Sequence, residues 1–210
     1  MDAMTTTWNV PGLPFALSPS PEAAWTIAEA DGVVTGSAAP RSDIFIDPAA
    51  GDPAVGPTLD AATLLGPPPD GDFQFSARVT VDFAATYDAG VLLLWVDERH
   101  WGKLCFELSP DGEPMIVSVV ARGVADDANA FVVDARTVWL RVSRIDHAFA
   151  YHASVDGRTW RMVRYFGIDG AATAATIGLE AQSPTGEGCR VVFDDLRFTR
   201  DRLADLRDGS

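Results

Sequence analysis

Residues 73–83 read FQFSARVTVDF, and this stretch decides the fold class. Phe73, Phe75, Ala77, Val79, Val81 and Phe83 take alternate positions, and Gln74, Ser76, Arg78, Thr80 and Asp82 fill the gaps. Successive side chains of a β-strand point to opposite faces, so a period of two predicts a strand buried on one side only. Strand-like runs recur along the chain: WTIAEA from residue 25, GVVTGSA from 32, DIFIDP from 43, GVLLLWV from 90, GKLCFEL from 102 and MIVSVVARG from 115. They continue with AFVVD from 130, TVWLRVSRI from 137, AFAYHASV from 148, RMVRYF from 161, TIGLEAQS from 176 and CRVVFDDLRF from 189. Asp31-Gly32, Gly66-Pro67-Pro68-Pro69, Asp111-Gly112 and Asp156-Gly157 punctuate them, and Asp-Gly favours the positive φ of tight hairpin turns.

About a dozen strands with almost no helix need two sheets packed face to face. The expectation is an all-β jelly-roll sandwich of two antiparallel sheets, with a convex back and a concave front. One domain is expected over residues 1–199. The charged tail, 200–210, holds the only helix-like stretch, Arg200 to Arg207, which is short enough to form no more than a terminal turn. Residues 47–58, DPAAGDPAVGPT, read as a surface loop, and whether it covers the front is open from sequence.

The 210 residues are 47% hydrophobic and 22% charged, the composition of ordinary globular material. Sixteen basic residues against 30 acidic ones give a net charge of −14. Nucleic-acid binding needs a basic footprint, and no Lys/Arg cluster exists, so neither nucleic acid nor an anionic membrane surface is an expected partner. No apolar run approaches the roughly 20 residues of a membrane helix. The N-terminus, MDAMTTTWNVPG, lacks the basic and apolar regions of a signal peptide, and the two cysteines, Cys105 and Cys189, lie in strand-like runs. A reducing, cytoplasmic location is the expectation.

The chemistry concentrates in WVDERHWGKLCFELSPDG, residues 95–112. Alternation puts Trp101, Lys103, Cys105 and Glu107 on one face, and Leu104, Phe106 and Leu108 on the other, core-facing side. Same-face neighbours stand about 6–7 Å apart, so Lys103 and Glu107 are about 13 Å apart along the strand, too far for a direct salt bridge. Each needs water, a cross-strand partner or a ligand. A solvated sheet face with structural cross-strand pairs is one reading. The floor of a groove is the other: an aromatic ring beside hydrogen-bonding groups suits a sugar, whose C–H faces pack on the ring.

Four stretches carry a resemblance: SDIFIDP (42–48), YDAGVLLLWVDERHWGKLCFE (87–107), SVDGRTWRMVRYF (154–166) and IGLEAQSPTGEGCRVVFDDLRF (177–198). Their order and spacing resemble the concanavalin A-like "regulation of enolase" family over about residues 8–199. The resemblance implies a lectin/glucanase-type jelly roll and no established catalytic activity. It also brings Asp43, Tyr87, Asp88, Gln182 and, from a neighbouring strand, Arg164 to the groove beside Trp101, Lys103 and Glu107. One departure stands out. Asp88 runs directly into Ala89-Gly90, where the family usually inserts a residue, often Gln. If that Gln lines the family's groove, its contact is missing here.

The expected function is non-catalytic binding of a carbohydrate or sugar-related ligand, with a regulatory module that meets a protein partner as the alternative and a glycoside-active enzyme as a further one. A retaining glycosidase needs two carboxyl groups about 5–5.5 Å apart. The strand offers only Glu107, and Asp194-Asp195, being consecutive, are expected on opposite faces. Cys105 beside Lys103 raises the idea of a reactive thiolate, but none of His100, His147 and His152 lies on that strand face, and a structural Cys is favoured. Asp126-Asp127 and Asp47…Asp52 offer oxygens without a calcium motif, and no metal or other cofactor is expected. SVDGRTW resembles a shortened Asp-box, so Ser154, Asp156, Gly157 and Trp160 read as structural.

Overall fold

The computed structural model describes residues 6–21, 23–50 and 56–210. Among the described residues, fourteen strands build an all-β jelly-roll sandwich of two seven-stranded antiparallel sheets, and two more form a separate ribbon. The front sheet runs in the order β1 (Ser18–Pro19), β6 (Ala62–Gly66), β15 (Thr176–Gln182), β8 (Ala89–Asp97), β9 (His100–Leu108), β10 (Pro114–Arg122) and β11 (Ala125–Val132). The back sheet runs β14 (Arg161–Phe166), β13 (Ala148–Ser154), β12 (Thr137–Ile145), β7 (Phe73–Val81), β16 (Arg190–Thr199), β3 (Val33–Ser37) and β2 (Ala24–Ala28).

The core lies between the sheets, and alternation builds it. Phe73, Phe75, Ala77, Val79 and Val81 of β7 are all buried there, with polar residues between them only partly covered. Leu104 and Phe106 of β9 face them from the front sheet, as do Leu92 and Leu94 of β8 and Ile177, Leu179 and Ala181 of β15. The Asp-Gly turns behave as their chemistry requires: Gly32, Gly112 and Gly157 hold φ of 69°, 77° and 68°.

A second apolar layer lies on the other side of the front sheet. The short strands β4 (Ile44–Phe45) and β5 (Thr58–Leu59) pair with each other and form a flap over that outer face. Ile44, Ile46 and Ala61 pack there with Trp101, Cys105, Val91, Leu93 and Val117. The flap is pinned at Ser42, bridged to Ser183, and at Ile46, whose carbonyl accepts the Ala125 N–H at 3.0 Å. The middle of the 47–58 loop lies outside the described residues.

Three details differ from the sequence reading. The tail forms no helix. It turns back on the outer face of the back sheet, where Leu203 is buried, the His152 ring nitrogen Nε2 meets the Leu206 carbonyl at 2.8 Å and Arg141 donates to the Gly209 carbonyl. The one helix among the described residues, α1 (Ala171–Ala174), is a single turn. Asp194 and Asp195 do not diverge: a bulge, with Asp195 at φ 47°, turns both outward, Asp194 to Arg78 and Asp195 to the Trp139 indole at 3.0 Å. SVDGRTW is the structural turn its sequence resembles, with Asp156 accepting from Arg158 and Thr159 amides at 2.8 and 2.7 Å. Among the described residues no helix is long and apolar enough to cross a membrane.

Candidate functional site

Strand register places the polar groups before any side chain is considered. On the outer face of the front sheet, Lys103 stands in one row with Leu93 and Gly178 on one side and Val119 and Asp127 on the other. The next row holds Glu180, Val91, Cys105, Val117 and Asn129. The third holds Gln182, Ala89, Glu107 and Met115. Strands lie about 4.8 Å apart and same-face residues about 7 Å apart, so one patch of sheet gathers four polar corners around an apolar middle. Above it the flap adds Asp43 and Phe45, and the loop before β8 adds Tyr87. Between them a cavity of about 500 Å³ remains, within the range of small-molecule sites.

Lys103 is buried under the flap. Its ammonium donates to Asp43 Oδ1 at 2.9 Å and to Gln182 Oε1 at 2.8 Å, with Glu180 Oε1 at 3.9 Å. Burial alone would lower its pKa, but the Glu180 and Asp43 carboxyls outweigh that and raise it. Glu180 is fully buried with neither oxygen hydrogen-bonded. Burial pushes its pKa up to about 8 in spite of Lys103, and Asp43, at 2.9 Å against 3.9 Å for Glu180, is the closer counterion of the ammonium. Glu107, 7% exposed, is likewise raised to about 8 by burial, and Asp127 is raised for the same reason.

Of the residues read from sequence, Asp43, Tyr87, Lys103, Glu107 and Gln182 line the cavity together. Three do not. Trp101 is fully buried in the apolar layer beneath the flap, its ring 5.6 Å from the Lys103 ammonium, and offers no face to a ligand. Asp88 is fully buried and structural: it accepts the Ala84 and Ala85 amides at 2.9 and 2.8 Å and the Ser183 hydroxyl at 2.6 Å. Arg164 reaches past the cavity to the carbonyl and carboxylate of Asp126 at 3.0 and 3.1 Å, tying the edges of the two sheets together.

The Asp88 turn has a consequence for its neighbour. It holds Tyr87 at φ 70°, a left-handed conformation uncommon for a bulky residue, and leaves its ring 39% exposed on the cavity wall. Tyr87 and Phe45 are therefore the aromatic surfaces of the site. Sequence reading missed Glu180, Phe45, Met115 and Asn129, and weighed Asp127 only as an oxygen donor for a metal. Glu180 sits two places before Gln182, and that parity was the available signal.

Burial disfavours the thiolate at both cysteines. Cys105 and Cys189 are both free and buried, and burial raises Cys105 well above its usual range and Cys189 to about 12. Among the described residues no group of three or more His, Cys, Asp or Glu side chains is placed to hold a metal ion. Asp52 lies outside them.

A family profile described as "Protein of unknown function (DUF1349)" matches residues 20–201. The chain belongs to this family. Within reach of this DUF1349 chain, "Regulation of enolase protein 1" of Saccharomyces cerevisiae is 30% identical over 143 residues, 68% of this chain and 71% of that protein. The crystal structure of a functionally unknown S. cerevisiae protein superposes with a TM-score of 0.72 at 25% identity, covering 86% of this chain and 97% of that one. A xylan beta-1,4-xylosidase of Bacillus halodurans superposes with a TM-score of 0.63 at 11% identity, covering 83% of this chain but 34% of that one, a likeness of fold alone.

The two raised carboxyls give the DUF1349 chain a definite pH dependence. Unfolded, each ionises near 4.5; folded, each holds its proton to about 8. The folded state binds more protons in that window, so this contribution is present in full near pH 4 and is lost as pH rises toward 8, at up to about 1.4 kcal/mol per pH unit for each group. Thermal unfolding between pH 5 and 8.5 is expected to show a falling midpoint, and Glu180→Gln should flatten the fall and unfold higher than wild type at pH 8.5. Equal slopes for the two proteins would refute the burial of an ionisable Glu180.

Proposed function

We propose that this chain binds a carbohydrate, or a ligand built like one, in the cavity beneath the β4–β5 flap, without transforming it. The observation that carries the reading is the cavity's lining. Glu107, Asp127 and Asn129 supply hydrogen-bonding heads, and Phe45, Tyr87 and Met115 supply apolar surfaces beside them. A pyranose presents hydroxyls at its rim and C–H groups on its faces, and such a wall answers both. Hydrolysis fits less well. A glycosidase needs a protonated carboxyl and an ionised one across the scissile bond. Glu107 qualifies as the first, but the Asp43 carboxylate is engaged by Lys103, burial disfavours an ionised Glu180, and Asp127 stands two strands across and two rows along the sheet from Glu107.

The test is a thermal-shift screen against mono- and oligosaccharides and sugar phosphates, with Glu107→Gln beside the wild type. A ligand at 100 times its dissociation constant should stabilise the wild type by about 2.7 kcal/mol. The variant, whose amide keeps the shape of the carboxyl, should fold and lose much of that shift. A reducing-end assay on the same hits should stay flat, and sustained product release would overturn the non-catalytic part. A screen with no shift would favour a second reading, a regulatory module meeting a protein partner, which the name of the yeast relative and the acidic surface support.

A further inference from the structure

We propose that the ligand of this cavity carries a protonated amine, as an amino sugar does, and that the amine seats against Glu107. This rests on the binding reading above and adds the chemical class to it. Charge at the site is one-sided. Asp43, Glu107 and Asp127 line the cavity with Glu180 beneath, against the single ammonium of Lys103. That ammonium is already engaged by Asp43, Gln182 and Glu180. The next cation, Arg164, is turned to Asp126.

Glu107 is what remains. It is 7% exposed, lines the cavity, and has no hydrogen bond or ion pair to any described residue. A buried carboxyl without a partner is costly to keep ionised, and a cation placed against it removes that cost. Register puts Asn129 one row along and two strands across from Glu107, and Asp127 a further row along, so an amine at Glu107 meets that carboxyl first and lies in the field of Asp127. A neutral sugar leaves Glu107 without a counter-charge, and an anionic ligand finds the Lys103 ammonium already engaged. The chain's charge of −14 draws cations toward the site over a longer range.

Proton release distinguishes this from simple sugar binding. Burial, with the Asp127, Asp43 and Glu180 carboxyls adding to it and Lys103 opposing, raises the Glu107 pKa to about 8. An ammonium beside it favours the carboxylate, so binding at pH 7 expels a proton from Glu107 to buffer.

The experiment is calorimetric titration at pH 7 with matched pairs, glucosamine against glucose, galactosamine against galactose and mannosamine against mannose, in phosphate and in HEPES. The amine of at least one pair should bind at least about tenfold tighter than its neutral twin, with a heat that differs between the buffers. Glu107→Gln should remove the preference and the buffer dependence while leaving the protein folded, with an unfolding midpoint at or above wild type, and Asp127→Asn, at a less buried position, should weaken the same preference. Neutral sugars binding as well as or better than their amines would overturn the amine while leaving the carbohydrate reading standing. No binding by any member of the panel would overturn both.

Discussion

Replacing Lys103 by methionine is expected to destabilise the fold by about 3–5 kcal/mol, the cost typical of removing one partner from a buried ionic network. The loss of a cation is only part of the reason. Asp43 loses its counterion and Gln182 its donor, and both are held in place by the flap that covers them. Glu180 then has no opposing charge to moderate its burial, so the damage should be greatest at high pH. Urea unfolding at pH 7 and pH 8.5 reads both effects. The surface pair Arg41–Glu187 supplies the contrast: at 69% and 81% side-chain exposure its removal should change stability by under about 1 kcal/mol. A Lys103 variant as stable as wild type would mean that the ammonium is hydrated and the flap is open.

Trp101→Ala should cost about 3–5 kcal/mol, as large aromatic truncations in a core do. The indole is fully buried among Ile44, Ile46, Cys105 and Ala121, and its removal leaves a cavity that the flap cannot fill without losing its own pairing. Trp101→Phe should recover part of the loss. The prediction separates two roles for one residue. A ring that served as a sugar platform would lose affinity with little change in stability, whereas a ring that supports the flap loses stability first. Denaturant midpoints for both variants, measured without ligand, decide between them.

The contrast between Trp101 and Lys103 shows what the sequence could and could not carry. Alternation in FQFSARVTVDF reported one buried face and one open face, and the strand, the sandwich and the shared face of Lys103, Cys105 and Glu107 followed from local periodicity. Periodicity does not say what covers the second face. The flap comes from residues 42–61, far away in sequence, and turns a face that reads as open into an apolar layer with a pocket at its edge. Glu180 was hidden for a related reason: IGLEA reads as a continuous apolar strand, and a carboxyl within it draws attention only when Lys103 is known to lie beneath the same flap. The first six residues of β11, ADDANA, show no apolar alternation because the outer positions Asp127 and Asn129 line the cavity, and that polarity erased the strand signal. Asp88 misled in the opposite direction. Its carboxylate closes a backward turn on Ala84 and Ala85, a local bond that the Tyr-Asp dipeptide does not distinguish from a ligand contact.

The most direct measurement of the binding claim uses the methionine methyl groups. The chain has four methionines. Met115 lines the cavity, and Met162 lies on the back sheet beside Arg207. With methyl-labelled methionine, titration of the saccharide that gives the largest thermal shift should move the Met115 resonance along a saturable curve and leave Met162 where it was. A saturable shift of Met162 with Met115 unmoved would place the ligand on the other sheet and contradict the assignment of the site.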